Sequence, residues 1–351
     1  MVGIGVIGAG YWGPNLMRNF AALEDCRLRT VCDLSSERLA SAERNYPGVG
    51  ITGRLEDLLD DDEIQGVAIA TPVHSHFELA RRALKAYKSV LVEKPLATSV
   101  GECEQLLETA RKMGVALMVG HTFEYNAAVE HVERLIDDGE LGDIHYIYSQ
   151  RLNLGIVRQD VDAMWNLAPH DISIALRWLK QMPVTVNARG YTYLQEGISD
   201  VVFLNLEFAD GVAVHVHVSW LDPGKIRRMT VVGSRKMVVY DDVSTDAKIQ
   251  LYDKGIDRQN LGDSLGEFDS FGKFQLTQRA GDVLIPKLDF VEPLRLECAH
   301  FVGCISEGTT PLTDGENGLR VVRILEAATL SIERGGVAVS VGGLKSTERE
   351  G

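Results

Sequence analysis

The sequence contains few cysteines and no cysteine motif. Five cysteines occur among 351 residues, an odd number, and they are Cys26, Cys32, Cys103, Cys298 and Cys304. None forms a C-x-x-C pair, so the pattern argues against a disulfide framework and against a zinc site. We therefore expect a reduced protein of the cytoplasm that holds no metal.

Long apolar runs and excess positive charge are also missing. No stretch reaches the about 18 consecutive apolar residues that a membrane span needs. The opening MVGIGVIGAG lacks the basic segment of a secretion signal. The formal net charge is −14. Because an acidic surface repels phosphate backbones, we expect neither a membrane nor a nucleic acid as a partner.

The chain is long for a single core, and its first part alternates two kinds of segment. A length of 351 residues suggests two domains. Within residues 2–120, near-continuous Val, Ile, Leu and Ala runs alternate with segments of helical period. Strands that are covered by helices on both faces have this composition. The pattern predicts an α/β fold in which residues 1–121 form a Rossmann-type, doubly wound parallel sheet.

The pattern changes after residue 121. One helix, a long strand and a second helix are followed by runs of period two, namely TVNARGYTY, VVFLNLEF, VAVHVHVSW, RMTVVGS and KMVVYDD. This alternation predicts a C-terminal α+β domain, residues 122–351, with a large, open-faced, mainly antiparallel sheet. Two final helices, near 293–308 and 316–334, could pack back on the first domain. Residues 255–290 give no clear prediction.

A glycine-rich turn directly follows the first predicted strand. It reads Gly8-Ala9-Gly10-Tyr11-Trp12-Gly13 and opens a predicted helix. In a dinucleotide site, Gly8 permits the tight turn, Gly10 lets the backbone approach a pyrophosphate, and Gly13 lets helix pack on strand. The helix N-terminus supplies N–H groups and partial positive charge. The other interpretation is a glycine-rich turn without a ligand.

An acidic residue stands where this fingerprint places one. Asp33 follows the second predicted strand, twenty residues after Gly13. Its carboxylate can accept hydrogen bonds from the ribose hydroxyls of adenosine and would repel a 2′-phosphate. The sequence therefore predicts a site for NAD in preference to NADP.

Polar residues follow two further strands of the predicted parallel sheet. Thr71 and Pro72 follow GVAIA, and Glu93 and Lys94 end SVLVEK. Ligands of such sheets bind beyond the carboxyl ends of the strands. There Lys94 could hydrogen-bond a substrate hydroxyl and stabilise developing alkoxide charge, with Glu93 orienting it. The alternative is a solvated lysine at a strand end.

A second cluster lies in MWNLAPHDI, residues 164–172. Asn166 and His170 are four apart, which places them on one side of a helix. Pro169 has no N–H and fits a first helical turn, so we expect the helix to begin near Asn166, which is a candidate N-cap. His170 is a candidate general base because its pKa lies near working pH. The alternative is a packed, structural histidine.

Together these segments resemble the glucose–fructose oxidoreductase, inositol dehydrogenase and MocA (Gfo/Idh/MocA) family. The motifs that carry the resemblance are GVIGAGYWG, Asp33, ATPVHSH at 70–76, EKPLA at 93–97, GHTFEYNAAV at 120–129 and WNLAPHDI at 165–172. The resemblance implies NAD-dependent hydride transfer to or from a secondary hydroxyl of a sugar.

The resemblance also implies roles for individual residues. The family's catalytic lysine and histidine map onto Lys94 and His170, and Thr71, Pro72 and His76 are expected near the cofactor. Where family members commonly carry an aspartate, this chain has Asn166, and an amide cannot take a proton. A cis bond before Pro95 and a homodimer or homotetramer are further expectations.

Three segments are most similar to the nucleotide-sugar 3-dehydrogenase branch: GYWGPNLMRNF, RLNLG at 151–155 and SWLDPGKIRRMTVVG at 219–233. Such enzymes act at C3 of sugars such as UDP-N-acetylglucosaminuronate. The positive residues that could meet a diphosphate or carboxylate are Arg151, Arg158, Lys225 and Arg227. Asn153, Tyr125 and Asn166 are further candidates for contacts with the sugar. The alternatives are an inositol or free-sugar dehydrogenase, and a non-catalytic NAD-binding scaffold.

Overall fold

The computed structural model describes residues 1–260 and 274–342. Within these ranges the α-helices are α1 (Gly13–Ala21), α2 (Ser36–Asn45), α3 (Leu55–Leu59), α4 (His76–Lys85), α5 (Val100–Met113), α6 (Ala127–Asp137), α7 (Ala163–Leu179), α8 (Pro293–Glu307) and α9 (Gly315–Glu333). Short 3-10 turns cover Val73–Ser75 and Thr122–Tyr125. None of the helices in this part of the chain is long and apolar enough to cross a membrane.

The strands of the first sheet are β1 (Val2–Ile7), β2 (Cys26–Cys32), β3 (Gly50–Thr52), β4 (Gly66–Ile69), β5 (Ser89–Glu93) and β6 (Leu117–Gly120). They pair in parallel in the order β3-β2-β1-β4-β5-β6. Every residue of β1 and β4 is buried, as the apolar runs predict. The predicted doubly wound parallel sheet is confirmed. Its strand order reverses between β1 and β4, which opens a crevice at their carboxyl ends.

The strands of the second sheet are β7 (Ile144–Leu154), β8 (Thr185–Tyr191), β9 (Val201–Glu207), β10 (Ala213–Ser219), β11 (Leu221–Gly233), β12 (Met237–Asp241), β13 (Ile249–Asn260), β14 (Phe274–Leu284) and β15 (Val339–Ser340). Their order is β14-β13-β12-β11-β7-β10-β9-β8-β15. The pairs are antiparallel except β7 with β10. The predicted large, mainly antiparallel sheet is confirmed.

The two faces of this sheet differ in what covers them. Val214, Val216 and Val218 of β10 are buried in a core that α7 and α9 complete. On the other face, the rings of Phe203 and His217 stack with centroids 4.2 Å apart. Period-two alternation in β9 and β10 produces this division, because successive side chains point to opposite faces.

The two final helices pack on both sheets. Phe301 of α8 lies in one cluster with Ile4 of β1 and meets Phe20 of α1 edge to face at 6.4 Å. Leu319 of α9 belongs to the first sheet's core, and Ile324 to that of the second. The polar side chains of these helices are thereby brought to the carboxyl end of the first sheet.

The segment without a clear prediction, 255–290, includes the end of β13 and all of β14, while residues 261–273 lie outside the described part. The two strands pair antiparallel, with Ile256 opposite Gln278. Most residues from 277 to 284 are exposed. A strand whose two faces are both exposed to solvent needs no hydrophobic alternation, which explains why the sequence pattern did not predict it.

Candidate active site

The glycine turn has the geometry that a dinucleotide site requires. Gly8 has φ +95°, and a β carbon there would lie 2.7 Å from the carbonyl oxygen of Ala70. A β carbon on Gly13 would lie 2.0 Å from the Gly8 oxygen. Gly10 has no such close neighbour. Side chains at positions 8 and 13 would thus disrupt the turn, which fits a pyrophosphate cradle at the start of α1.

Asp33, the residue predicted to bind ribose, accepts hydrogen bonds from main-chain N–H groups. Asp33 Oδ2 accepts a hydrogen bond from the Ala9 N–H at 2.7 Å, and Oδ1 accepts one from the Ser35 N–H at 2.8 Å. Arg38 Nη1 lies 3.7 Å from Oδ2. A carboxylate that suits ribose hydroxyls and a guanidinium that suits a phosphate are therefore neighbours. Sequence reasoning missed Arg38, although it follows Asp33 by only five residues.

A buried histidine joins the ends of β4 and β5. His76 Nδ1 lies 2.9 Å from the Pro95 oxygen, and Nε2 lies 2.9 Å from the Thr71 oxygen. Because burial lowers the pKa of His76, its neutral ring donates to only one of these two carbonyls at a time, and its place between them links the two strand ends. Pro72 is exposed. The Lys94–Pro95 peptide bond is cis, which confirms that expectation.

Lys94 reaches across from the first sheet to α7. Its Nζ donates a hydrogen bond to the carbonyl oxygen of Asn166 at 2.7 Å. Burial lowers the pKa of Lys94 to about 8, opposed by the neighbouring Glu93 carboxylate. Burial raises the pKa of Glu93 to about 7, opposed by Lys94. Burial thus moves the pKa values of both groups toward neutral pH, as is common for groups at functional sites.

The predicted start of the second helix was wrong. α7 begins at Ala163, and Asp162 is its N-cap, with Oδ1 accepting the Trp165 N–H at 2.9 Å. Pro169 lies inside the helix. Asp162 is a better cap than Asn166 here because it precedes the first apolar turn that packs on the core. Pro169 removes the donor for the Trp165 carbonyl, and Lys94 donates to the next carbonyl, that of Asn166.

His170 therefore lies one turn beyond the lysine contact. Its ring meets the edge of Phe123 with centroids 4.8 Å apart. Burial, followed by the charges of Lys94 and Arg151, holds the pKa of His170 well below its usual value. The imidazole is consequently neutral at working pH and able to accept a proton.

Two guanidinium groups surround the Phe123 ring. Arg151 Cζ lies 4.6 Å from its centroid, and Arg227 Cζ lies 5.8 Å from it. Arg151 is buried and bonded to Asp171 through Nε at 2.8 Å and Nη2 at 3.0 Å. Arg227 makes a longer contact of 3.4 Å with Asp242. Arg227 is thus the more available cation, because the charge of Arg151 is already paired.

The remaining predicted substrate residues make their contacts elsewhere. Tyr125 Oη lies 3.2 Å from Thr313 Oγ1. The side-chain amide of Asn153 lies against Gly155, since a β carbon built on Gly155 would be 2.3 Å from its nitrogen. Lys225 is exposed and lines a cavity of about 270 Å³. Arg158 pairs with Asp160 at 2.6 Å.

A buried polar network under the strand ends escaped prediction. His121 Nδ1 lies 2.5 Å from Asn317 Oδ1, and Asn317 Nδ2 donates to Glu124 Oε1 at 2.9 Å. Thr122 Oγ1 donates to Glu297 Oε2 at 2.9 Å. Asn317 and Glu297 belong to the final helices, and His121 and Asn317 are 196 positions apart. Within the described ranges, no cluster of side chains could hold a metal ion.

The chain is similar to an uncharacterised oxidoreductase of Streptococcus pneumoniae. The two are 27% identical over 60% of each chain, so the match spans less than two thirds of that protein. Inositol 2-dehydrogenase 2 of Saccharopolyspora erythraea is 31% identical over 61% of this chain and 66% of its own length. The solved structure of GenD2 from gentamicin A biosynthesis, in complex with NAD, has a TM-score of 0.81. It is 24% identical and covers 97% of this chain and 96% of its own, and it shares the fold.

Two family models match consecutive parts of the chain between residues 2 and 239. Residues 2–121 match the oxidoreductase family with an NAD-binding Rossmann fold, and residues 129–239 match the GFO/IDH/MocA C-terminal domain. The matched segments contain the glycine turn, Lys94 and His170 in the arrangement described above. The chain belongs to the Gfo/Idh/MocA family of oxidoreductases.

Proposed function

We propose that the protein is an NAD-dependent dehydrogenase that acts on a secondary hydroxyl of a sugar. The observation that carries this proposal is the bridge from Lys94 Nζ to the Asn166 carbonyl, at 2.7 Å. It joins the carboxyl end of the nucleotide-binding sheet to the turn of α7 that precedes His170. A substrate carbon above the nicotinamide would have both groups within reach.

Lys94 and His170 have different roles in the proposed reaction. Lys94 donates a hydrogen bond to the reacting oxygen and stabilises its negative charge as the C–H bond weakens. His170, neutral because its pKa is held well below its usual value, accepts the hydroxyl proton in oxidation and returns it in reduction. The bound nicotinamide supplies the hydride acceptor or donor.

The finer proposal for the substrate is a nucleotide sugar that reacts at C3, such as a UDP-N-acetylglucosaminuronate-like molecule. Three guanidinium groups, those of Arg158, Arg151 and Arg227, act electrostatically on Lys94. Each of the three is paired with an aspartate, and the pair of Arg227 with Asp242, at 3.4 Å, is the longest of the three contacts. A diphosphate or carboxylate on the substrate would be attracted chiefly by Arg227.

An inositol or free-sugar dehydrogenase is the second candidate, favoured by the relative named inositol 2-dehydrogenase. It requires no anion site, so Arg227 would then serve only to balance Asp242. A non-catalytic NAD-binding scaffold is a candidate of another class. The paired arrangement of Lys94 and His170 argues against a scaffold, because a binding protein needs neither a base nor a charged donor beside the nicotinamide.

The experiment is an absorbance assay at 340 nm with a panel of UDP-sugars, inositols and free sugars. We expect NADH to form with UDP-sugars and about tenfold less efficient turnover after Arg227→Ala, because a charge-assisted contact is lost. The matched control is Arg228→Ala on the same strand, whose partner is Asp241. Turnover of free sugars alone would support the second candidate. Binding of NAD without turnover across the panel would support a scaffold.

Two further properties belong to this proposal. NAD is the preferred cofactor, because the Asp33 carboxylate favours free ribose hydroxyls. The protein works in the cytoplasm as a homodimer or homotetramer, with the uncovered face of the second sheet, marked by Phe203 and His217, as the contact between copies. Sedimentation velocity tests the oligomer, and a monomer at micromolar concentration would contradict it.

A further inference from the structure

Two histidine nitrogens beneath the reaction site are buried without a hydrogen-bond partner in the described structure. They are Nε2 of His121 and Nδ1 of His170. Buried polar atoms are nearly always paired, so each such atom calls for a physical explanation. The next observations indicate that His121 Nε2 is an acceptor, which leaves His170 Nδ1 able to act as a donor.

The hydrogen bonds of His121 fix its tautomer. Asn317 Nδ2 donates to Glu124 Oε1 at 2.9 Å, so the amide oxygen of Asn317 faces the other way and accepts. That oxygen lies 2.5 Å from His121 Nδ1, which therefore carries the hydrogen. Burial lowers the pKa of His121 to about 4. His121 is thus a neutral imidazole whose buried Nε2 offers a lone pair.

The charges that act most strongly on His170 are positive. Asn166, one turn earlier, is an amide whose carbonyl is used by Lys94. After burial, the groups that lower the pKa of His170 are Lys94, which follows β5, Arg151 of β7, His121 and Arg227 of β11. The three cations among them disfavour the imidazolium that forms in oxidation. His121 precedes Phe123, whose ring packs against His170 at 4.8 Å.

We propose that His121 is a positioning residue for His170. In the working enzyme, His121 Nε2 accepts a hydrogen bond that His170 Nδ1–H donates through one bridging water molecule, since neither nitrogen has a direct partner in the described structure. This interaction leaves the lone pair of His170 on Nε2, where the substrate hydroxyl proton is received. The imidazolium that results keeps its Nδ1–H bonded to His121, and Asn317 and Glu124 hold His121 in place. The base role of His170 rests on the proposed function, whereas its tautomer does not.

The direct test is the tautomer of each histidine, read by two-bond ¹⁵N–¹H correlation in full-length protein labelled at histidine. Signals are assigned by their loss in His121→Gln and His170→Gln. We expect both residues as the Nδ1–H form, which is the minor form of free histidine. An Nε2–H form of His170 would overturn the proposal. This measurement needs no substrate, so it stands even if no sugar is turned over and the proposed function fails.

The kinetic test compares an acceptor with an apolar side chain at position 121. His121→Gln keeps a polar group at the position of Nε2, whereas His121→Leu does not. We expect His121→Leu to lower kcat by about 10- to 100-fold, as for other groups that orient a reactive side chain. NAD affinity should stay unchanged, and His121→Gln should recover most of the rate.

The matched control is His131→Leu on α6, which should change neither kcat nor NAD affinity. Wild-type kcat in His121→Leu would contradict the proposal. Equal loss in His121→Gln and His121→Leu would also contradict it, because a purely structural role does not distinguish an acceptor from an apolar group. If His121→Leu fails to fold, the tautomer measurement on the wild-type protein decides.

Discussion

His170 shows how burial prepares a base before any substrate arrives. The free energy of charging its imidazole is raised by desolvation and by neighbouring cations, of which Lys94 is the largest contributor. Its neutral, proton-accepting form therefore persists to lower pH than in a free histidine. In the proposed reaction the same cations would stabilise an alkoxide on the substrate and oppose the imidazolium, so His170 would hold the proton it receives only weakly.

This depressed pKa makes a prediction about pH dependence. The fall in kcat/KM that belongs to His170 should occur only below pH 6.5, the ordinary pKa of histidine, whereas burial places the pKa values of Glu93 and Lys94 at about 7 and about 8. The sign follows because a lowered pKa extends the neutral form of His170 toward acid. A pH–rate profile with saturating NAD, recorded for the wild type and for Glu93→Gln, measures it. Half of the rate lost at or above pH 6.5 in both proteins would show that His170 is not the depressed base described here.

Arg38 supports a second prediction at the residue scale. Its guanidinium, 3.7 Å from Asp33 Oδ2, could accompany a 2′-phosphate and offset repulsion by the carboxylate. Arg38→Ala should weaken NADP binding by about tenfold, the effect of one charge-assisted contact, and leave NAD binding within about twofold. Quenching of tryptophan fluorescence gives both dissociation constants. Equal weakening of both cofactors would assign Arg38 a structural role instead.

At the scale of single elements, local signals were sufficient for the glycine turn and insufficient for α7. The turn was predictable because its constraint lies within a few residues: Gly13 packs on Gly8 itself. The start of α7 was not, because Asp162 and Asn166 are both good caps. Tertiary packing of Ala163 and Met164, both fully buried, decided between them. Pro169 led to a helix start that was placed too late. The structure shows it inside α7, where the missing N–H lies beside the hydrogen bond from Lys94 to the Asn166 carbonyl.

The cap of α7 is open to a stability test. Asp162→Ala removes the acceptor for the Trp165 N–H, bonded at 2.9 Å. The free energy of unfolding should fall by about 1 kcal/mol, the usual value of an N-cap. Asp162→Asn, which keeps an acceptor oxygen, is the matched control and should lose less. Urea denaturation measures both, and no loss in the alanine variant would show that the cap is dispensable.

At the scale of the whole molecule, the two C-terminal helices, α8 and α9, contact residues that follow the first sheet. The partners of His121 and Thr122 come from α9 and α8, nearly two hundred positions later, and no periodicity in the sequence reports such pairings. Sequence reasoning therefore selected Lys94, His170 and the glycine turn as candidates, because they lie in continuous motifs. It missed Arg38, Phe123 and the buried polar network, whose roles depend on the folded arrangement.

The C-terminal helices link the two sheets, because α8 packs on the first sheet and α9 contributes to the cores of both. Phe301 is fully buried against β1 and α1, so Phe301→Ala should lower the free energy of unfolding by about 3 to 5 kcal/mol. Because α9 contributes to the cores of both sheets, we expect one transition in calorimetry for the wild-type chain. A variant in which only the nucleotide-binding part melts early would show that the C-terminal helices do not couple the two parts.

The central claim is that Lys94 acts on the reacting oxygen and not on the cofactor. Lys94→Ala with the best substrate of the sugar panel tests it, with NADH formation and NAD binding measured on the same preparation. We predict that kcat falls by at least about a hundredfold, as when a preorganised electrostatic donor is removed. The NAD dissociation constant should stay near that of the wild type. Near-wild-type turnover, or loss of NAD binding in step with loss of rate, would contradict this account.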